Sequence, residues 1–260
     1  MKNRLFRKTV GAIFSVILLL FCSTGYAAEN IDPDNDGSQY AYGENVGWLN
    51  AEPLSDGGPG VEVTDSTLTG YIWGENIGWI NLSPTNHGGV SNDGIGNLSG
   101  YAWGENVGWI NFAPTNGGGV TIDVEGNFDG WAWGENIGWI HFQNLTVPYK
   151  VKTAWAPQPE PYHAYLQDFF DESVEAETLV GVGPGKSADL RLEAVSNMIE
   201  KAGNFIESGL ITEACEQLLD ALEKTDGLGP PANPPDLVTG DAADDLAEKI
   251  QDLMTLLECE

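Results

Sequence analysis

The chain has 260 residues, with 39 Asp and Glu against 11 Lys and Arg, for a formal net charge of −28. So acidic a chain repels nucleic acid and anionic lipid and attracts cations, which sets nucleic-acid binding aside and leaves solubility as the plainest use of the charge. Three cysteines and three scattered histidines (His87, His141, His163) form neither a C-x-x-C pair nor a ligand cluster at metal-binding spacing, so a metal hydrolase has no support.

The first residues carry Lys2, Arg4, Arg7 and Lys8, then an apolar run from Val10 to Cys22, then the small-residue stretch Gly25-Tyr26-Ala27-Ala28. This order describes a secretory signal peptide over residues 1–27, cut near Ala27. Phe21 precedes Cys22 where a bacterial lipoprotein signal carries a small residue, so lipid attachment is set aside. Removal of residues 1–27 takes four basic and no acidic residues, leaving 7 Lys and Arg against 39 Asp and Glu, a net charge of −32. No later apolar stretch is long enough to span a bilayer. The expected location is secreted or at the cell surface, without a transmembrane anchor after cleavage.

Asp32-Pro-Asp34-Asn-Asp36-Gly37 has the alternation that places several carboxylates around one Ca²⁺. An EF-hand would put Glu at position 43, where Gly43 stands and Glu44 follows, so a solvated acidic turn is preferred and Asp32, Asp34 and Asp36 are kept as a candidate calcium site.

From Tyr40 one phrase returns four times: YAYGENVGWLN, YIWGENIGWIN from Tyr71, YAWGENVGWIN from Tyr101 and WAWGENIGWIH from Trp131. A period of about 30 residues marks one supersecondary unit copied along the chain, whose apolar face is buried only against its neighbours. Short aromatic and β-branched runs bounded by Gly, Asn and Pro predict about three strands per copy. The copies form an all-β repeat domain over residues 28–156, as stacked hairpins, a meander, a β-solenoid or a barrel. Tyr149–Trp155 reads as its closing strand, with Lys150 and Lys152 blunting an exposed edge.

Glu44, Glu75, Glu105 and Glu135, with Asn45, Asn76, Asn106 and Asn136, fall in the tight connection of every copy and are assigned to fixing the turn. If the copies stacked linearly, the glutamates would approach one another and need cations or backbone donors. The repeated aromatics pair Tyr42 with Trp48, Trp73 with Trp79, Trp103 with Trp109 and Trp133 with Trp139. In the second strand Trp109 shares a face with Asn111, whereas Ile110 and Phe112 point the other way. Large aromatics usually fill cores, and packing is the preferred reading. The alternative is a carbohydrate face built from Trp48, Trp79, Trp109 and Trp139 with Asn50, Asn81 and Asn111.

Pro157-Gln-Pro-Glu-Pro161 opens a linker, taken as residues 157–163. Beyond it the composition turns to Leu, Ala, Glu and Asp with helical periodicity. Leu192, Val195, Ile199, Ala202 and Ile206 share one face, as do Ile211, Cys215, Leu218 and Leu222, and Leu246, Ile250, Leu253 and Leu257. With a further helix from about Tyr165 to Thr178, residues 164–260 form a small all-α four-helix module. Val180–Ser187 departs from the phosphate-binding loop at Val180 and is read as a turn. Cys215 and Cys259 are the two cysteines left after export, and antiparallel packing of the last two helices brings them together as a disulfide.

Residues 100–112, GYAWGENVGWINF, resemble the aromatic W-x-E-N-x-G-W-I repeats of exported bacterial surface proteins, a likeness covering about residues 40–155. The second half resembles the FIMAH-type helical module of exported bacterial proteins, through Gly183–Ala188, Asn197-Met-Ile199, Ala214-Cys215, Thr225-Asp-Gly227 and Asp236–Gly240. The first likeness implies a secreted or cell-surface location and the second an accessory or interaction role. No catalytic motif is present. The expected function is therefore that of an exported, non-enzymatic surface or matrix protein acting in adhesion or assembly on cell-envelope or matrix components, polysaccharide among them. The alternatives are a carbohydrate-binding protein and, more weakly, an extracellular hydrolase.

Overall fold

A computed structural model describes residues 30–53, 59–86, 88–227 and 235–259. The signal-peptide expectation for residues 1–27 lies outside them.

The alternation of outward aromatics with inward aliphatics makes each copy a two-stranded hairpin. The first is β1 (Tyr40–Gly43) and β2 (Gly47–Asn50), followed by the short β3 (Glu62–Val63) and β4 (Thr67–Thr69). The second is β5 (Tyr71–Gly74) and β6 (Gly78–Asn81), followed by β7 (Val90–Asn92). The third is β8 (Leu98–Gly104) and β9 (Gly108–Asn111), followed by β10 (Val120–Ile122); the fourth is β11 (Phe128–Gly134) and β12 (Gly138–His141). Each hairpin pairs antiparallel with the next. β12 returns to β1 through Tyr42↔His141 and Gly43↔Ile140, so the copies close into an eight-stranded barrel. Of the arrangements open to the sequence, a linear stack or solenoid is therefore not the one adopted. Closure removes the unpaired edges that a linear stack would leave at each end.

The barrel interior is aliphatic. Cross-strand pairs Ala41↔Leu49, Ile72↔Ile80, Ala102↔Ile110 and Ala132↔Ile140 fill it, all buried, with Val46, Ile77, Val107 and Ile137 closing the turn end. Three of the four pairs set a small residue against a large one, which suits the narrow bore of eight strands. Below the barrel the first strand of a copy bends and pairs with the short strands, β8 with β7 and β11 with β10. The bend lies at Gly100 and Gly130, at φ +87° and +86°, where a Cβ would collide with the carbonyls of Gly89 and Gly119. Only glycine accepts both the left-handed backbone and that approach.

β13 (Gln143–Asn144) and β14 (Tyr149–Lys150) form a small hairpin after the last copy. The chain then clasps the start of the repeats through Gln39↔Val151 and Ile31↔Thr153. The two lysines expected to blunt an edge are used internally instead: Lys152 Nζ lies 2.7 Å from Asp34 Oδ2, and Lys150 Nζ donates to Asn127 Oδ1 at 2.8 Å.

The second half is α1 (Pro159–Glu175), β15 (Val180–Gly181), α2 (Lys186–Glu207), α3 (Ile211–Leu222), β16 (Val238–Thr239) and α4 (Ala243–Leu256). α1 begins inside the expected linker, because proline is tolerated in the first helical turn, where no intrahelical N–H bond is lost. Its core, around Leu166, Val195, Ile199, Leu218, Leu246 and Ile250, is separate from that of the barrel. Ile211 is not on the buried face as expected: it is 39% exposed, and Ala214, Leu218 and Ala221 carry the contact. Cys215 and Cys259 are disulfide-bonded, with Cα atoms 5.6 Å apart. Among the described residues no helix is long and apolar enough to cross a membrane.

Candidate functional site

Each hairpin turns over three residues, with the fourth held by its backbone: Val107 N donates to Gly104 O at 3.1 Å, and Gly108 follows at φ +79°. That is the type I turn with a left-handed residue favoured by three-residue hairpins. The turn asparagines then reach sideways. Asn76 Nδ2 donates to Val46 O, Asn106 to Ile77 O, Asn136 to Val107 O and Asn45 to Ile137 O, all at 2.9 to 3.0 Å. Every turn is thereby tied to the one before it, and the ring closes on itself. Asn45, Asn76, Asn106 and Asn136, expected to fix their own turns, thus form a cyclic belt of four hydrogen bonds between turns.

The glutamates beside them behave differently. Glu44, Glu75, Glu105 and Glu135 are exposed and make no hydrogen bond or ion pair among the described residues. Among the described residues no group of three or more His, Cys, Asp or Glu is placed to hold a metal ion.

The aromatics lie on the outer wall, contrary to the preferred packing reading. The aliphatic pairs already fill the bore, so the opposite face of every strand must point outward. Trp48 is 49% exposed and Trp103 36%, while Trp79, Trp109 and Trp139 are half-buried. Cross-strand register sets one ring of each strand beside its partner: Tyr42 with Trp48, Trp73 with Trp79, Trp103 with Trp109 and Trp133 with Trp139, at centroid distances of 5.1, 4.6, 4.7 and 4.8 Å. A further ring, Tyr40, Tyr71, Tyr101 or Trp131, meets the second-strand tryptophan edge-on at 6.0 to 6.3 Å.

Between neighbouring copies these rings border grooves of similar make. The groove joining the second and third copies holds about 480 Å³ and is lined by Trp79 and Asn81 of one copy and Trp103 and Glu105 of the next. The third and fourth copies enclose about 470 Å³ between Trp109, Asn111, Trp133 and Glu135. The first and second enclose about 760 Å³ with Trp48, Asn50, Trp73 and Glu75, enlarged by Tyr149 and Pro148 of the added hairpin. The groove closing the ring, about 460 Å³, departs from the pattern: His141 stands where the others have Asn, and Tyr42 where they have Trp. His141 stacks on Trp131 at 3.8 Å and 5°, and Tyr149 Oη lies 3.3 Å from its Nδ1. Burial holds this imidazole below its ordinary pKa, against the pull of Asp129.

Asn50, Asn81 and Asn111 each accept from the backbone N–H two residues on, at 2.8 to 2.9 Å. This Asx turn consumes Oδ1 and leaves the Nδ2 donor without a partner among the described residues. The structure thus places Trp48 with Asn50, Trp79 with Asn81 and Trp109 with Asn111 in three of these grooves, leaves Trp139 outside the lining of all four, and adds the glutamates that had been assigned to the turn alone. The first-strand rings Trp73, Trp103 and Trp133 complete three of the grooves and Tyr42 the fourth. Their alternation with Ile72, Ala102 and Ala132 already marked them as sharing the outer face.

Asp32, Asp34 and Asp36 are not gathered around one point. Asp32 is buried, and its carboxylate accepts from Asp36 N at 2.9 Å, Gly37 N at 3.0 Å and Ser38 Oγ at 3.1 Å. Hydrogen bonding from Ser38 holds the Asp36 carboxyl below its ordinary range, and Asp34 is paired with Lys152.

Comparison with protein-family models, curated proteins and solved structures finds no match to this chain.

Proposed function

We propose that this is an exported, non-enzymatic adhesion protein that binds carbohydrate in the grooves around its barrel, the helical module serving as an accessory or contact unit. The observation that carries the reading is the outward aromatic girdle, two rings from the first strand and one from the second strand of every hairpin, over a bore already filled by aliphatics. Such rings do not fill the bore, and exposed Trp48, Tyr101, Trp103 and Trp131 beside half-buried Trp79 and Trp109 make apolar surface of the kind that marks an interaction site. The apolar C–H face of a sugar ring packs on a flat aromatic, and its hydroxyls bond to an amide donor such as Asn81 Nδ2. Groove volumes of about 460 to 760 Å³ fall in the range of small-ligand sites. Four sites on one rigid ring suit a polymeric ligand, since each further contact is intramolecular.

Tryptophan fluorescence of the protein titrated with soluble oligosaccharides tests the reading. At least one glycan class is expected to shift the emission saturably, and Trp79→Ala with Trp109→Ala to weaken that binding tenfold or so. A panel in which no glycan perturbs the tryptophans would overturn it.

A further inference from the structure

We infer that the grooves are selective for amino sugars in their protonated form, that is, for a polymer carrying free ammonium groups beside its sugar rings. This rests on the carbohydrate reading and deepens it.

The inference starts from the turn glutamates. Glycines set the backbone of each turn and the asparagine belt ties it to its neighbour, so neither task calls on the glutamate. The second residue of a type I turn accepts most side chains. Yet the same acid stands there in every copy, exposed and without a partner among the described residues, on the rim of a groove walled by tryptophan: Glu75 with Trp48 and Trp73, Glu105 with Trp79 and Trp103, Glu135 with Trp109 and Trp133.

The surroundings sharpen the sign. No Lys or Arg occurs anywhere between Lys8 and Lys150, so no basic side chain of the repeats competes for these carboxylates. Each groove therefore offers a carboxylate and the negative faces of aromatic rings to one ligand. Both attract an ammonium group, the rings through their quadrupole and the acid directly. A neutral sugar uses the rings and the Asn amide but leaves the carboxylate idle. An acidic sugar meets like charge in every groove and in the surrounding field of a chain at −28. A glucosamine-type unit satisfies ring, amide and acid together.

The test is titration calorimetry of the whole mature protein with a glucosamine oligosaccharide and its fully N-acetylated counterpart, at low and high salt, below the amine pKa. The free-amine oligosaccharide is expected to bind about tenfold more tightly at low salt, and the preference to shrink at high salt. Replacing Glu44, Glu75, Glu105 and Glu135 by Gln should erase the preference while leaving the weaker binding of the acetylated sugar. Exposed, unpartnered side chains make that variant safe for folding. Equal affinity for the two sugars, or a preference that survives the Glu→Gln changes, overturns the inference and leaves the carbohydrate reading intact. Binding of neither sugar removes both. Binding of oligolysine in place of the amino sugar overturns the inference in favour of a basic peptide.

Discussion

Gly108 illustrates how much a single position settles. Its φ of +79° lies in the left-handed region, and a Cβ there would sit 3.4 Å from the Asn136 amide that crosses to the neighbouring turn. Gly108→Ala should therefore cost about 1–2 kcal/mol, the left-handed penalty alone, read as a lower melting temperature of the barrel. A second residue-scale prediction concerns Tyr162, whose hydroxyl donates to Asp252 Oδ2 at 2.7 Å. Burial pushes the Asp252 carboxyl above its ordinary range, and the tyrosine bond only partly offsets this. A carboxyl whose folded pKa is raised favours folding below its unfolded pKa, near 3.9; that contribution is lost as pH rises through the folded value. Asp252→Asn should thus be more stable than the parent at pH 7, and the gap should close as pH falls toward about 4. Tyr162→Phe should cost about 1–2 kcal/mol at neutral pH by stripping a half-buried carboxylate of its donor. At this scale the sequence marked the glycines as turn formers and the alternation of Trp109 with Ile110 as two-faced. It did not give the sign of the faces, because either an aromatic or an aliphatic set can fill a core. The narrow bore of eight strands decides for Ala, Ile and Leu.

The repeating element is a hairpin that needs its neighbours. Its own ladder pairs only a few residues, and the lateral bonds from Asn45, Asn76, Asn106 and Asn136 join separate hairpins into a ring. Asn106→Ala should cost about 1 kcal/mol, and combining it with Asn136→Ala should cost more than the sum, since both hold the third turn. Differential scanning calorimetry of the two single variants and the double variant checks this. The hairpins and their number were legible from the 30-residue period and from the Gly-Glu-Asn phrase. Closure was not, because linear and cyclic arrays of one unit use the same local pairing. The signal lay in the lone histidine of the last copy, His141, which pairs with Tyr42 of the first at the seam. In the helical half the periodicity placed Leu246, Ile250, Leu253 and Leu257 correctly on a buried face. The face of α3 was rotated by about one residue, since small Ala214 and Ala221 allow the close approach to α2 and α4 that Ile211 does not.

At the scale of the molecule two separate hydrophobic cores meet a single disulfide that belongs to only one of them. The bond closes a loop of 44 residues, for which chain entropy gives roughly 4 kcal/mol. Cys215→Ser with Cys259→Ser should lower the helical transition strongly and leave the barrel transition where it was, and thermal unfolding followed by circular dichroism separates the two. The passage from strands to helices was legible as a change of composition and periodicity, although α1 starts at Pro159, inside the stretch expected to be a linker. The grooves are invisible in any one copy: the Trp of one hairpin and the Glu of the next become neighbours only where adjacent copies pair, and closure adds the fourth groove at the seam. The central claim is that these grooves bind sugar together. Its most direct test is retention of the protein on an insoluble polysaccharide as Trp79→Ala, Trp109→Ala and Trp48→Ala are introduced one after another. The account predicts that retention falls stepwise and by more than tenfold per groove once avidity is lost, with the fold unchanged. Retention that stays at the parent level after all three replacements would contradict it.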